Sequence, residues 1–542
     1  MHLADKKITV QGIIQLGSEL LLEKKLMGEK ETENIKIRIK GPSNIERWKF
    51  RPIVDQSGIG VNEDKFQYSF SEGNRQLFIE DQGLCQTYGI FGVPGCGKTY
   101  LLKHLLAQLI KLNADKKEKK FGGLILDPKG ALLGEIIELF KDAGREKDLV
   151  IINDGYMKEE GKALNILDCY LQPVDLGKAM SMAAQSAGIS SKEPYWLNEL
   201  GTIFGAGMEL LYFQRNLRKT KPNLKNLVEL LLDVVDTKEL GPDRFQPKLK
   251  IYLQAMYDHP PEMSDQEAMQ FSVSSGILER FLSNTKDKPV LSSFIDQSYG
   301  LFRRPDYYIF SDEYLDSNEK NIYDSTIEDG KFILVSISRR SLAISKILCT
   351  LIKTLFQQTV LTRLDRHFSN ELANYERPLL FMADEYSDVA TELEGQPMGD
   401  GLFFSQMRQF GCMGLVATQS VHMLKNSSLR DAWKSIYANM AAKLFMQLGD
   451  YETAEEASKL VGESEIRAVM VDNSVSKDGT NISSRHEIKD KKDLPTRVVL
   501  QTLGRGQAVL IGSVDGKSRP STHFLAVKGH LFNSKGDQND SP

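Results

Sequence analysis

The sequence predicts an α/β fold with a parallel-rich central sheet, an inserted all-α domain and a small mixed α/β domain at its start. Three observations predict it. Strand-like apolar runs alternate with helical spacing over residues 86–173, the pattern of parallel strands joined by crossover helices. The strand signal fades over 174–294, where Leu197, Leu200, Ile203 and Phe204, then Leu224, Leu227 and Leu231, recur at helical spacing. Strands return over 295–530, so the sheet begun before the insertion is resumed after it.

Taken in order, residues 1–85 combine an amphipathic pattern over Ile13–Leu26, which predicts a short helix, with strand-like alternation at 35–40. A strand at 86–91 leads into a glycine-rich loop and a helix at 100–112, then strands at 122–127 and 149–152. After the helical insertion, strands are predicted at 331–337, 378–383, 414–418 and 443–446. Residues 472–493 are polar and carry an Asp478-Gly479 turn signal, which predicts a solvated hairpin or loop. The polar end, 531–542, reads as a disordered tail.

Composition narrows the class. A length of 542 residues suits roughly three or four domains. Lys and Arg total 69 against 73 for Asp and Glu, so contact with a polyanion must rest on local patches and not on overall charge. The cysteines, Cys85, Cys96, Cys169, Cys349 and Cys412, are odd in number and scattered, which predicts reduced thiols of a cytoplasmic protein and neither a disulfide frame nor a zinc site. No stretch approaches the ~18–20 apolar residues of a membrane span. The charged start, with Asp5, Lys6 and Lys7, lacks the apolar core of a secretion signal. The expectation is a cytoplasmic chain with no membrane span of its own.

The chemistry is concentrated in Gly92-Val93-Pro94-Gly95-Cys96-Gly97-Lys98-Thr99, a complete G-x-x-x-x-G-K-[ST] loop with Tyr100 opening the helix behind it. Glycines let the backbone curl so that successive N–H groups point at a triphosphate, and the helix adds the positive end of its dipole. Lys98 is expected to reach the β- and γ-phosphates and Thr99 to hold Mg²⁺, which makes ATP and Mg²⁺ the expected cofactors. The alternative, a plain glycine turn, fits poorly with the strand-loop-helix context.

Asp384-Glu385 follows an apolar run, and in open parallel sheets ligands bind at the carboxyl ends of strands. Asp384 is expected to anchor a water on Mg²⁺ and Glu385 to orient or deprotonate the attacking water. Without that context an Asp-Glu pair is solvated surface. Gln419, after the strand at 414–418, is placed either to sense the γ-phosphate or to serve as a turn residue. Arg408, in Arg408-Gln409-Phe410-Gly411, is either an arginine finger acting on a neighbouring subunit's nucleotide or a surface ion-pair residue.

The order of phosphate loop, Asp127-Pro128-Lys129-Gly130, helical insertion, Asp384-Glu385-Tyr386, Arg408 to Gly411, Ala417-Thr418-Gln419-Ser420, and Asn439 through Lys443 to Gly462 resembles the TraG/TraD coupling ATPases of conjugation and type IV secretion. These belong to the wider HerA/FtsK group of ring-forming motors. The resemblance covers about residues 85–530. It implies a RecA-like motor domain, a hexameric ring, and ATP-driven handling of DNA or a DNA–protein substrate. It carries nucleotide and metal binding onto Lys98 and Thr99, metal and water onto Asp384 and Glu385, γ-phosphate sensing onto Gln419 and the trans finger onto Arg408. The chain departs from the family in lacking the usual leading membrane-spanning helices, which a membrane-anchored or secretion-channel partner would supply. It also has Ala131 where an acidic residue often follows the Asp-Pro-Lys-Gly turn.

The polymer is less legible. Arg215, Arg218, Lys219, Lys221 and Lys225, near Tyr212 and Phe213, form either a cluster that meets phosphates or an acidic partner, or a solvated helix end. Lys116-Lys117-Glu118-Lys119-Lys120 reads as a solvated connection. Tyr195 and Trp196 could stack on bases, but Trp196, Leu200 and Phe204 have the spacing of core. Two other readings stay open: a HerA/FtsK-like DNA translocase working with a nuclease in repair or defence, and a nucleotide-gated receptor for protein cargo.

Overall fold

The computed structural model describes residues 10–11, 13–26, 35–37, 66–160, 164–186, 194–218, 221–224, 226–227, 230–231, 257–258, 263–283, 320–337, 342–392, 398–427, 429, 431–461, 463–475, 481–493, 500, 503–514 and 521–526. In chain order the strands are β1 (Ile13–Leu26), β2 (Ile35–Ile37), β3 (Phe66–Glu80), β4 (Thr87–Phe91), β5 (Gly122–Asp127), β6 (Leu149–Ile152), β7 (Phe332–Ser336), β8 (Leu379–Ala383), β9 (Cys412–Thr418), β10 (Ala442–Phe445), β11 (Glu463–Val475), β12 (Asn481–Asp493), β13 (Gln507–Gly512) and β14 (Ser521–Ala526). The chain divides into two compact units. One comprises Met1–Val10, Leu109–Val416 and Leu424–Asn439, the other Gln11–Gln108, Ala417–Met423 and Met440–Pro542.

In the first unit β5 pairs in parallel with both β7 and β8, β6 pairs with β7, and β8 pairs with β9. Strands β5, β7, β8 and β9 are buried throughout, because helical crossovers cover parallel strands and select continuous apolar runs such as Leu379-Leu380-Phe381-Met382-Ala383. One such crossover, the helix Leu342–Phe368, carries the chain from β7 towards β8.

The expected helical insertion is helical in its described parts, Pro173–Ser186, Pro194–Arg218 and Asp265–Ser283. Its first two helices approach closely: a Cβ at Gly177 would lie 2.1 Å from the Gly201 carbonyl oxygen, so only glycine fits there. Trp196 is half-buried, and Leu200 and Phe204 are buried. Lys221 of the basic cluster is engaged with Asp168 at 2.6 Å, while Lys219 and Lys225 lie outside the described residues.

In the second unit β4 pairs in parallel with β10, and β10, β13, β14 and β1 follow as antiparallel neighbours, with β2 and β3 both on β1. The helix expected over Ile13–Leu26 is instead strand β1. Its pairing with β3 shifts register between Gln15 and Gly17 and again between Ser18 and Leu20. Such bulges interrupt the two-residue alternation of a strand, and the interrupted apolar pattern mimics helical spacing. The polar segment expected around 472–493 is the antiparallel pair β11–β12. Its Asp478-Gly479 turn, residues 38–40 and the tail 531–542 lie outside the described residues. All five cysteines are free thiols, and among the described residues no helix is long and apolar enough to cross a membrane.

Candidate active site

In the second unit the buried strand β4 ends at Phe91, which stacks on Phe445 of β10 with ring centroids 5.2 Å apart. The loop Gly92–Thr99 begins there. Its base is tied down by two main-chain hydrogen bonds: the Gly92 N–H donates to the Gln419 carbonyl at 3.2 Å and the Val93 N–H to the Gln447 carbonyl at 2.9 Å. Its far side is held where the Gly506 N–H donates to the Cys96 carbonyl at 2.8 Å. Gly95 at φ 83° and Gly97 at φ 112° occupy backbone conformations that L side chains rarely adopt. A Cβ at Gly97 would also come within 3.2 Å of the Gly506 nitrogen.

The helix that follows, α1 (Lys98–Lys111), starts at the motif lysine, so its first N–H groups have no intrahelical carbonyl to serve. Pro94 and Gly95 are exposed and Thr99 is half-buried, which leaves the curled backbone open to a phosphate. Lys98 is buried, and its Nζ donates to the carbonyls of Gly92 at 2.7 Å and Val93 at 3.2 Å. The ammonium therefore lies along the loop where phosphate oxygens would compete for it. Cys96 points inward, its Sγ 3.9 Å from the Met446 sulfur, and burial pushes its thiol pKa up; it is a packing residue. Gln419 stands beside the loop and anchors it through its carbonyl, a contact that its sequence position did not disclose. Tyr100 is half-buried in the first turn of α1.

In the first unit the acids gather at the carboxyl ends of neighbouring strands. The register Leu126↔Ala383 brings β5 and β8 to an end side by side, and the Asp384 N–H donates to the Leu126 carbonyl at 3.1 Å. Asp384 and Glu385 are both buried. Glu385 adopts a left-handed backbone, φ 49° and ψ 50°, a sparsely populated state that its surroundings must impose. Its carboxylate forms an ion pair with Lys129.

A fully buried network grips the turn that Glu385 begins. Lys353 Nζ donates to the Val389 carbonyl at 2.7 Å, to Thr391 Oγ1 at 2.9 Å and to both Asp400 oxygens at 2.7 Å. Asp400 also accepts from Tyr386 OH at 2.6 Å, Gln357 Nε2 at 2.8 Å and the Thr391 N–H at 3.0 Å. Burial lowers the Lys353 pKa and raises that of Tyr386, and the Asp400 charge opposes the first shift.

Arg408 is exposed in the turn before β9. Because β8 and β9 run parallel in the register Leu379↔Cys412 to Ala383↔Val416, Arg408 precedes the amino end of β9 whereas Asp384 follows the carboxyl end of β8. The intervening strand spans roughly 13 Å at 3.3 Å per residue. The fold thus brings Asp384 and Glu385 together and keeps Arg408 of the same chain away from them. Sequence reasoning missed Lys129 as a partner of Glu385, and Lys353, Tyr386 and Asp400 as the network that holds the turn after it. A signal existed for Lys353, a lone lysine within Leu348-Cys349-Thr350-Leu351-Ile352-Lys353-Thr354-Leu355-Phe356. Among the described residues no cluster of His, Cys, Asp and Glu forms a metal-binding group by itself.

Residues 378–504 match a family model described as the TraM recognition site of TraD and TraG. The bacterial conjugative coupling protein TrwBdeltaN70, in its unbound monoclinic form, is 13% identical with a TM-score of 0.51, the match covering 83% of this chain and 86% of that one. The likeness to the TraG/TraD coupling proteins stands. The fold is α/β and RecA-like, and this rests on the TrwBdeltaN70 match together with the parallel sheet. Also similar are plasmid coupling protein TrwB in complex with ADP and Mg2+, 14% identical over 82% of this chain and 86% of that one at a TM-score of 0.48, and VirB4 of Thermoanaerobacter pseudethanolicus, 12% identical over 82% and 90% at 0.39. No curated protein sequence matches the chain.

Proposed function

We propose that this TraG/TraD-like chain is a Mg²⁺-dependent ATPase that works as a ring-forming, hexameric coupling motor, moving or delivering DNA or a DNA–protein substrate in conjugation or type IV secretion. The observation that carries the nucleotide assignment is the phosphate loop: two left-handed glycines, an open curled backbone, and Lys98 folded along it at the start of α1. ATP and Mg²⁺ are its cofactors in this reading. Lys98 and the loop N–H groups bind the β- and γ-phosphates, and Thr99 and Asp384 hold the metal, which supplies charge neutralisation at the phosphates. Glu385 accepts a proton as water forms the new P–O bond and the bond to the leaving ADP oxygen breaks, and Gln419 senses the γ-phosphate. Arg408 supplies charge to a neighbouring subunit's nucleotide, a reading supported by its separation from its own acids.

In the same reading, 86–173 and 295–530 form the motor, interrupted by the helical domain 174–294. The match over 378–504 supports a DNA-processing partner of the TraM kind as the expected contact, and a membrane-anchored or secretion-channel protein is a further expected partner. The test is steady-state ATP hydrolysis with and without single- and double-stranded DNA, beside Lys98→Ala, at concentrations spanning assembly. DNA stimulation that vanishes in Lys98→Ala is the expected result. Slow turnover indifferent to DNA would replace the motor with a nucleotide-gated receptor of protein cargo.

A further inference from the structure

Asp127-Pro128-Lys129-Gly130 is a motif to which the proposed reaction gives no task, yet its residues form a built turn. Asp127 is buried at the end of β5, and its Oδ2 accepts from the Leu132 N–H at 2.7 Å and from Ser336 Oγ at 2.9 Å. Burial raises its pKa, and these donors oppose that shift. The Pro128 carbonyl accepts from Ser345 Oγ at 3.1 Å. Gly130, at φ 64°, closes the turn by donating its N–H to the Asp127 carbonyl at 3.1 Å. What the construction presents is Lys129, whose Nζ contacts Glu385 Oε1. The Lys129 side chain is 32% exposed and that of Glu385 only 7%, so the cation reaches inward to a carboxylate that is otherwise shut in.

We infer that Lys129 is a positioning residue for Glu385. A carboxylate this deep needs a paired charge to stay where it is, and the turn delivers one in a fixed place. The turn that Glu385 begins is held by the Tyr386–Asp400–Lys353 network, which leaves the direction of the carboxylate for the Lys129 contact to set. A misdirected base loses rate without losing ATP. This role rests on the reading of Glu385 as the group that activates water.

The experiment is a double-mutant cycle of Lys129→Met and Glu385→Gln in the full chain, read both by ATP hydrolysis and by urea unfolding. Lys129→Met should lower kcat about 10- to 100-fold with the KM for ATP within about twofold of wild type. Lys129→Arg, which keeps the charge, should recover most of that loss, and the double variant should be no slower than Glu385→Gln alone. Losses that multiply, or a wild-type kcat in Lys129→Met, would overturn the role. In urea the two substitutions should be coupled, and simple additivity would remove the ion pair itself. A wild-type chain with a coupled pair and no hydrolysis would instead overturn the ATPase reading, taking this role with it while leaving the pair intact.

Discussion

The phosphate loop takes its shape from a single run, Gly92 through Thr99, whereas the acid pair takes its shape from separate stretches around Asp127, Lys353, Asp384 and Asp400. In the loop the determining forces are steric and sit mostly within the run, glycine conformations and a helix start, with main-chain ties to Gln419, Gln447 and Gly506 holding it in place. Around the acids they are electrostatic and distant in sequence, with a left-handed backbone at Glu385 beginning a turn whose Tyr386 and Val389 are held by the buried Lys353–Asp400 pair. The loop's motif can be written in consecutive residues, while placing the Glu385 carboxylate takes the packing of neighbouring strands and the helix that carries Lys353.

The largest test of this contrast separates binding from chemistry. Lys98→Ala should lose ATP binding and hydrolysis together, whereas Glu385→Gln should slow hydrolysis about 100- to 1,000-fold with binding retained. Equilibrium binding of a fluorescent ATP analogue beside the rate would show it, and loss of binding in Glu385→Gln would erase the distinction. Next, Lys353→Met should destabilise the first unit by about 3–5 kcal/mol by leaving Asp400 buried without its cation, and Asp400→Leu added to it should restore much of that. Urea unfolding reads both.

A buried lysine of the second unit sharpens the comparison. Lys443 donates to the Met440 carbonyl at 2.9 Å, and burial brings its pKa down to about 8 from 10.5. Below about 8 folded and unfolded chains both carry the proton and the burial cost stands in full. Between those values only the unfolded chain holds it, so stability should rise with pH, by up to about 3 kcal/mol. In Lys443→Met this slope should disappear. The smallest effect is expected for Tyr386→Phe, which removes the 2.6 Å bond to Asp400 at a cost of about 1–2 kcal/mol. Its loss should show in kcat at unchanged KM, and a change in KM alone would detach the network from Glu385.

The parallel strands were legible because burial on both faces leaves continuous apolar runs, and β5, β7, β8, β9 and β10 lie where those runs predicted them. Strand β1 was not, because its bulges disguise the alternation. The phosphate loop was legible because its glycines, lysine and threonine are consecutive, although Gln419, Gln447 and Gly506, which tie it down, are not. The partners of Glu385 were not: Lys129 is 256 residues away in sequence, and a contact of that kind exists only once β5 and β8 pair.

The parallel register of β8 and β9 has a genetic consequence. It sets Arg408 and Glu385 at opposite ends of adjacent strands, so on the proposed reading no chain completes its own site. Two alleles that are each inactive, Arg408→Ala and Glu385→Gln, should then complement when co-expressed, since a mixed assembly contains some boundaries where an intact arginine meets an intact glutamate. Either allele alone would contain none.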